Sequence, residues 1–105
     1  RAAAPPEEKE RVAVPPLERG RKIFLANCAS CHGEKGDGKG PAAAAFPKKP
    51  TNFVEGPFRY GDSEENILES IANGRPPFMP AWAGIIKEEG RRALAAYIKS
   101  LRKKP

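Results

Sequence analysis

Both cysteines of the chain and its single histidine stand together in the stretch Cys28-Ala29-Ser30-Cys31-His32. Cys-x-x-Cys-His is the attachment sequence of a c-type haem. Each thiol adds to one vinyl group of the porphyrin, and the two residues between them let both sulfurs reach their vinyls. Because the histidine follows at once, its ring turns under the porphyrin and offers the iron a proximal nitrogen. The stretch therefore predicts one covalently attached haem c, held by Cys28 and Cys31.

Two other chemistries use the same residue types. A disulfide or thioredoxin-like redox pair needs a strand before the motif and a βαβ pattern around it, and no strand-like run precedes Cys28. Structural zinc needs four ligands, usually in two spaced pairs, and this chain has no second Cys/His pair. Haem attachment is therefore the interpretation that the motif favours.

Met79 is the only methionine of the chain, and it lies in a segment with Pro76, Pro77 and Pro80. A lone methionine is most often core filler. A segment with so many prolines has little conformational freedom, however, and presents its side chain rigidly. Both cysteines are used by the haem, so Met79 is the remaining soft ligand, and Met/His is a known axial pair. We predict His32 and Met79 as the iron ligands.

Two loops are expected to line the haem. The glycine-rich residues 33–50 hold backbone carbonyls that can accept the second ring N–H of a ligating histidine. Residues 51–61 are aromatic, and Phe53 and Phe58 are expected to fill the core beside the haem. Arg59 and Tyr60 are candidates to bind the haem propionates, because buried carboxylates need donors. The alternative for Arg59 is ordinary solvent exposure.

Three helices must position these loops. Apolar residues at helical spacing predict helices over 17–27, 63–73 and 87–103. The first delivers Cys28, and its Gly20 costs about 1 kcal/mol against alanine, which the close approach of another helix would offset. Asp62 or Ser63 is the expected N-cap of the second helix, with a capping-box pattern from Asp62 to Glu65. No strong N-cap residue marks the start of the third helix. Residues 42–46 are expected to form one short turn.

Composition narrows the class of protein. The 105 residues predict one domain, and 12 prolines with 10 glycines indicate many loops around a thin core. No apolar run reaches membrane-spanning length. The formal net charge of +6 favours acidic partners, and no nucleic-acid-binding motif is present. Residues 1–16, rich in Ala, Pro and Glu, read as a leader or tether to the domain at 17–105. The start lacks the apolar core of a signal peptide, so a mature form or a fragment is expected.

Beyond the haem motif, several stretches resemble the class I cytochromes c, which carry one haem with His/Met ligation, and the small bacterial members most of all. The resemblance covers about residues 17–102. Its matching stretches are Gly20-x-x-x-Phe24, Cys28–Gly33, Gly38-x-Gly40-Pro41, Asn73-Gly74-Arg75 leading to Met79-Pro80-Ala81-Trp82, and Leu94-Ala-Ala-Tyr97-Ile98.

The resemblance implies an all-α cytochrome c fold, with three or more helices around one haem. It implies that the first and last helices cross at Gly20/Phe24 and Leu94/Tyr97. It also implies that the Pro41 carbonyl accepts the ring N–H of His32, and that Arg75 and Trp82 belong to the haem pocket. Residues 51–61 depart from the mitochondrial pattern, so the propionate contacts of Arg59 and Tyr60 do not carry over from the family.

These expectations describe a one-electron carrier rather than an enzyme. With both axial positions filled, the iron cycles between two oxidation states without binding a substrate. A cytochrome reductase or dehydrogenase is the expected donor and a terminal oxidase or similar protein the acceptor, both with acidic docking surfaces. Candidates for the complementary lysines are Lys35, Lys39, Lys48 and Lys49, although for each one alone an ordinary solvated side chain is the favoured interpretation.

Two other functions use the same motif. In the first, the chain is the electron-carrying domain or subunit of a larger redox enzyme, and the leader over residues 1–16 suggests this function. A haem peroxidase or gas sensor needs an open sixth position, which Met79 argues against. Haem attachment implies export, so the protein is expected in the periplasm or an equivalent compartment. There it is expected to be soluble or tethered to the outer face of the membrane. A monomer is expected.

Overall fold

The computed structural model of this chain describes residues 16–102. Four α-helices and one 3₁₀ turn account for its regular structure: α1 Pro16–Asn27, α2 Ala29–His32, the 3₁₀ turn Ala43–Ala45, α3 Glu64–Asn73 and α4 Glu88–Ser100. Across these 87 positions the only strand-like pairing is an isolated antiparallel bridge between Arg75 and Met79. The all-α prediction is therefore confirmed. The leader predicted over 1–16 lies outside the described residues, except for Pro16, which begins α1.

Helices α1 and α4 pack closely where Gly20 lies. A methyl group on Gly20 would overlap the backbone carbonyl of Ala93 and come within 2.8 Å of the Tyr97 Cβ. The Phe24 and Tyr97 rings lie next to this contact, with centroids 5.5 Å apart. The predicted helix crossing is confirmed, and it explains why α1 tolerates a glycine that weakens the isolated helix.

Helix α3 begins at a serine cap and ends at a glycine. The Ser63 side chain accepts a hydrogen bond of 3.0 Å from the backbone N–H of Asn66. Of the two predicted caps, Ser63 is therefore the one used, and the capping box from Asp62 to Glu65 is wrong. Gly74 ends the helix with φ of 73°, a left-handed conformation that favours glycine.

Helix α4 is shorter than the predicted 87–103. It ends at Ser100, where the N–H of Leu101 bonds to the Ile98 carbonyl and tightens the last turn. No side chain caps its start, as the weak sequence signal there implied. An ion pair of 3.3 Å between Arg19 and Glu89 ties this start to α1.

The core is small, and much of it faces one cavity. Its larger buried members are Phe24, Phe53, Ile67, Ile71, Leu94 and Ile98, joined by several alanines. No helix within residues 16–102 combines the length and the apolar character that a bilayer crossing requires. Because much of the small core faces the cavity, the helices surround this space rather than a core that is filled by side chains.

Candidate functional site

A cavity of about 310 Å³ lies among α1, α3, α4 and the long loops. Its lining contains Cys28, Cys31 and His32 from one end of the sequence and Met79 from the other. These residues are about fifty positions apart in the chain, and the fold brings them to one space. A volume of this size lies in the range of about 300–1,000 Å³ that cofactor sites occupy.

The end of α1 and the short α2 hold the Cys-x-x-Cys-His segment in place. The N–H of Cys28 bonds to the Phe24 carbonyl at 2.8 Å, which continues the hydrogen-bond pattern of α1 through Cys28. One helical turn then places both thiols and the imidazole against the cavity, and Gly33 closes that turn by bonding to the Ala29 carbonyl at 2.8 Å. The three chemical groups thus depend on α1 for their position.

The surroundings of Cys28 argue against zinc binding or thiol redox chemistry. Burial, together with the nearby Cys31, raises the pKa of Cys28 to about 12, so its thiol keeps its proton at neutral pH. The thiolate is the reactive and metal-binding form of cysteine, and here it is disfavoured. Within residues 16–102 no three His, Cys, Asp or Glu residues cluster around a possible metal position.

The imidazole of His32 is oriented by a carbonyl different from the one expected. Its Nδ1 lies 3.2 Å from the carbonyl oxygen of Thr51, and the exposed Pro41 does not line the cavity. The assignment of this role to Pro41 therefore does not agree with the structure. The cause is the pairing of the two loops, in which the N–H of Phe53 bonds to the Gly36 carbonyl at 2.7 Å and brings residues 51–53 beside His32.

This contact selects the tautomer that a metal needs. A proton on Nδ1 satisfies the Thr51 carbonyl and leaves a lone pair on Nε2. Burial lowers the pKa of His32, and the hydrogen bond to Thr51 acts in the opposite direction. The ring also stacks on Phe53, with centroids 4.5 Å apart and planes 23° apart. The imidazole of His32 is thus held in one orientation.

Met79 is held by backbone hydrogen bonds as well as by prolines. The N–H of Arg75 donates to the Met79 carbonyl at 3.0 Å, and the N–H of Met79 donates to the Arg75 carbonyl at 3.1 Å. After Met79 the chain returns to α3, where the N–H of Trp82 bonds to the Ile71 carbonyl at 2.9 Å and that of Ala83 to the Ala72 carbonyl at 3.2 Å. The segment that presents the sulfur is therefore fastened on both sides.

The rim of the cavity is cationic. Its charged lining residues are Lys48, Lys49, Arg59 and Arg75, with no carboxylate among them. Arg59 is exposed and donates to the Lys49 carbonyl at 3.1 Å. Tyr60 also lines the cavity, and its ring lies 3.8 Å from the Arg75 guanidinium carbon. The predicted Arg59, Tyr60, Arg75 and Trp82 all meet at this cavity.

Two contributors were missed by the sequence analysis. Ser70 accepts two hydrogen bonds from Arg75, and Phe46 packs its ring 5.2 Å from that of Phe78 at the cavity wall. No signal in the sequence pointed to Ser70, because its role depends on how the chain turns back after α3. Phe46 was visible as an aromatic residue at the end of the predicted turn.

The lining fits a haem. The wall is mostly apolar and aromatic, as a porphyrin requires, and the described part of the chain buries no polar or charged residue in its core. Two thiols, an oriented imidazole and a thioether share this space with four cations at the rim, where the propionates of the macrocycle need donors. Each chemical part of the cofactor thus has a complementary group.

Comparison with known proteins points the same way. The family model described as "Cytochrome c" matches residues 17–102. A cbb3-type cytochrome c oxidase subunit, FixP of Azorhizobium caulinodans, is 36% identical over 88 residues, which are 84% of this chain and 28% of that protein. The corresponding subunit CcoP of Azospirillum brasilense is 32% identical over 84 residues, 80% of this chain and 28% of that protein.

A solved structure gives the same fold. Cytochrome c6 from the diatom Phaeodactylum tricornutum superposes with a TM-score of 0.63 at 26% identity, covering 80% of this chain and 91% of that one. The diatom protein is thus matched over nearly its whole length. By contrast, the chain spans only about 28% of the length of the oxidase subunits that it resembles.

Proposed function

This chain belongs to the cytochrome c family, and we propose that it carries single electrons between redox proteins and has no catalytic role. One observation carries the proposal: the Cys-x-x-Cys-His segment and Met79 line the same cavity. In this proposal residues 17–105 form the carrier domain and residues 1–16 a tether.

The chain's own groups have distinct tasks. Cys28 and Cys31 would hold the haem through two thioether links, and His32 and Met79 would supply a nitrogen and a sulfur ligand to its iron. When bound, the haem iron supplies a one-electron couple between its ferrous and ferric states. Because His32 and Met79 together leave no position for a substrate, the chain exchanges electrons only. The aromatic wall excludes water, and exclusion of water favours the less charged ferrous state.

The rigid attachment of the ligands serves this function. Electron exchange is fast when little has to move as the charge changes, and both ligand segments are fixed by backbone hydrogen bonds. His32 is held by Thr51 and Phe53, and Met79 is held by Arg75 and by the return of the chain to α3. We infer that the ligand set is the same in both oxidation states.

The proposed partners are acidic redox proteins in an exported compartment. Lys48 and Lys49 at the cavity rim are exposed and have no carboxylate beside them in the lining, so a negatively charged surface would dock there favourably. A reductase or dehydrogenase as donor and a terminal oxidase as acceptor fit this charge. We propose the periplasm, or an equivalent compartment, as the location.

A second candidate is that this domain belongs to a larger redox assembly. The chain matches only about 28% of the FixP and CcoP subunits, whose names assign them to a cytochrome c oxidase. In this case the site chemistry is unchanged, and the domain passes its electron within one complex. The reading frame upstream of Arg1 distinguishes the two, because a membrane helix or a further domain there supports the assembly.

Optical spectroscopy of the holoprotein tests the ligand set. The oxidised protein is expected to show the far-red band of a methionine bound to ferric haem, and the reduced protein to bind carbon monoxide slowly. Met79→Ala should abolish the band and speed carbon monoxide binding. Ile85→Ala is the control, since Ile85 is an exposed apolar residue after Met79 that does not line the cavity, and its replacement should leave the band in place. A wild-type protein without the band, with rapid carbon monoxide binding, would instead indicate a peroxidase or gas sensor.

A further inference from the structure

Arg75 belongs to two parts of the site at once. Its backbone forms both hydrogen bonds of the bridge to Met79, at 3.0 and 3.1 Å. The same residue also lines the cavity. The residue that closes the loop of the distal ligand is therefore also a charged wall of the cofactor pocket.

The guanidinium of Arg75 is held in one orientation. Its Nε and Nη2 donate to the Ser70 hydroxyl at 3.1 and 2.9 Å, and its plane lies against the Tyr60 ring, 3.8 Å from the centroid. Such fixing removes most of the rotational freedom that an arginine side chain otherwise keeps. Within residues 16–102 its other N–H groups have no hydrogen-bond acceptor from the protein. These donors are oriented for a group that the protein itself does not provide.

Arg75 differs from the other rim cations in its exposure. Lys48, Lys49 and Arg59 are exposed, whereas Arg75 is half-buried. A cation withdrawn from water needs an anion close to it more than an exposed cation does. No acidic residue lines the cavity, so the anion must come from the molecule that fills it.

We propose that Arg75 is a positioning residue that binds a carboxylate of the bound haem and thereby holds Met79 at the iron. The inference rests on the proposed electron-transfer function of the same site. The carboxylate fixes the side chain of Arg75, and the two backbone bonds carry this restraint to Met79. Ser70 and Tyr60 support the geometry without touching either ligand.

The structure shows why the bridge needs this support. The three residues between Arg75 and Met79 are Pro76, Pro77 and Phe78, and all of them are exposed. Apart from the Phe46 ring against Phe78, little packing holds the loop, so the two backbone bonds of the bridge are its main restraint within the protein. An anchor on the Arg75 side chain lowers the population of the open loop, in which Met79 is away from the iron.

Binding of free imidazole to the ferric holoprotein measures this population, since imidazole competes with Met79 for the iron. The variants are Arg75→Gln, Arg75→Lys and Ser70→Ala, and the matched control is Arg21→Gln. Arg21 is exposed on α1 and does not line the cavity, and its replacement removes the same charge. Reduction potentials of the same proteins report the electrostatic part separately.

We expect Arg75→Gln to raise the apparent imidazole affinity about tenfold, the worth of one hydrogen bond to a charged group. It should also lower the ratio of reduced to oxidised protein about threefold at a fixed potential, because a nearby cation favours the ferrous state. Arg75→Lys keeps the charge and should preserve this ratio, yet it lacks the planar fork and should still raise imidazole affinity about threefold. Ser70→Ala should resemble Arg75→Lys.

Two results would overturn the proposal. An imidazole affinity of Arg75→Gln equal to that of Arg21→Gln would show that Arg75 does not hold Met79. A raised affinity without any change in the reduced-to-oxidised ratio would show that no carboxylate of the haem lies beside Arg75. Both differ from a failure of the proposed function, which the wild-type spectrum reveals by itself when its far-red band is missing.

Discussion

Replacing Gly20 with alanine should destabilise the holoprotein by about 2 kcal/mol. Alanine favours a helix by about 1 kcal/mol over glycine, so a change without steric effect would stabilise α1. Here the added methyl group would overlap the Ala93 carbonyl and lie 2.8 Å from the Tyr97 Cβ. Both neighbours belong to α4, and a backbone carbonyl does not turn aside as a flexible side chain does.

The magnitude follows from these opposing effects. Overpacking of a close contact costs about 1–3 kcal/mol and more where the backbone must move, so about 3 kcal/mol applies here. After subtracting the helix preference, about 2 kcal/mol of destabilisation remains, which corresponds to a fall of about 8–16 °C in the melting temperature of a domain of this size.

Gly84→Ala provides the control. A methyl group on Gly84 would have no heavy atom within 4 Å, so this change should alter the melting temperature little. Thermal and guanidinium unfolding of both variants, followed by circular dichroism, give the comparison. A Gly20→Ala protein that is as stable as Gly84→Ala, or more stable than the wild type, would refute the argument from the helix crossing.

Three further predictions concern the cap, the cofactor and the surface charge. Ser63→Ala should destabilise α3 by about 1 kcal/mol in guanidinium unfolding, whereas Asp62→Ala should not, since only Ser63 caps the helix. Protein made without haem attachment should lose most of its helical circular dichroism, because the apolar side chains that line the cavity are then left exposed to water. Lys48→Glu with Lys49→Glu should slow oxidation by ferricyanide about tenfold at low salt, and this difference should vanish at high salt if it is electrostatic.

The sequence contained the parts of the site that depend on local patterns. The Cys-x-x-Cys-His spacing is a covalent requirement, and the helix that carries it follows from apolar spacing and Pro16. Met79 could be predicted from chemistry alone, since it is the only soft ligand left once the cysteines are used. Gly20 was informative for a similar reason, because a residue that weakens its own helix implies a close neighbour.

The parts that could not be predicted depend on how distant segments meet. The pairing of Phe53 with Gly36 decides which carbonyl accepts the hydrogen bond from His32. The path of a glycine-rich loop cannot be predicted from its residues alone. The family resemblance indicated Pro41, and the structure has Thr51. The contact of Arg75 with Ser70 arises in the same way, from the return of the chain after α3.

The attachment of the Met79 loop to α3 has a consequence for motion. Its near end is closed by the bridge at Arg75, and its far end is bonded to the last turn of α3 through Trp82 and Ile71. Loop and helix end therefore form one cooperative opening unit, whose amide hydrogens exchange with solvent together. In the proposed function, the time that the Met79 sulfur stays at the iron would then be set by how often this unit opens. A destabilised α3 would shorten that lifetime even though no residue that touches the cofactor had changed.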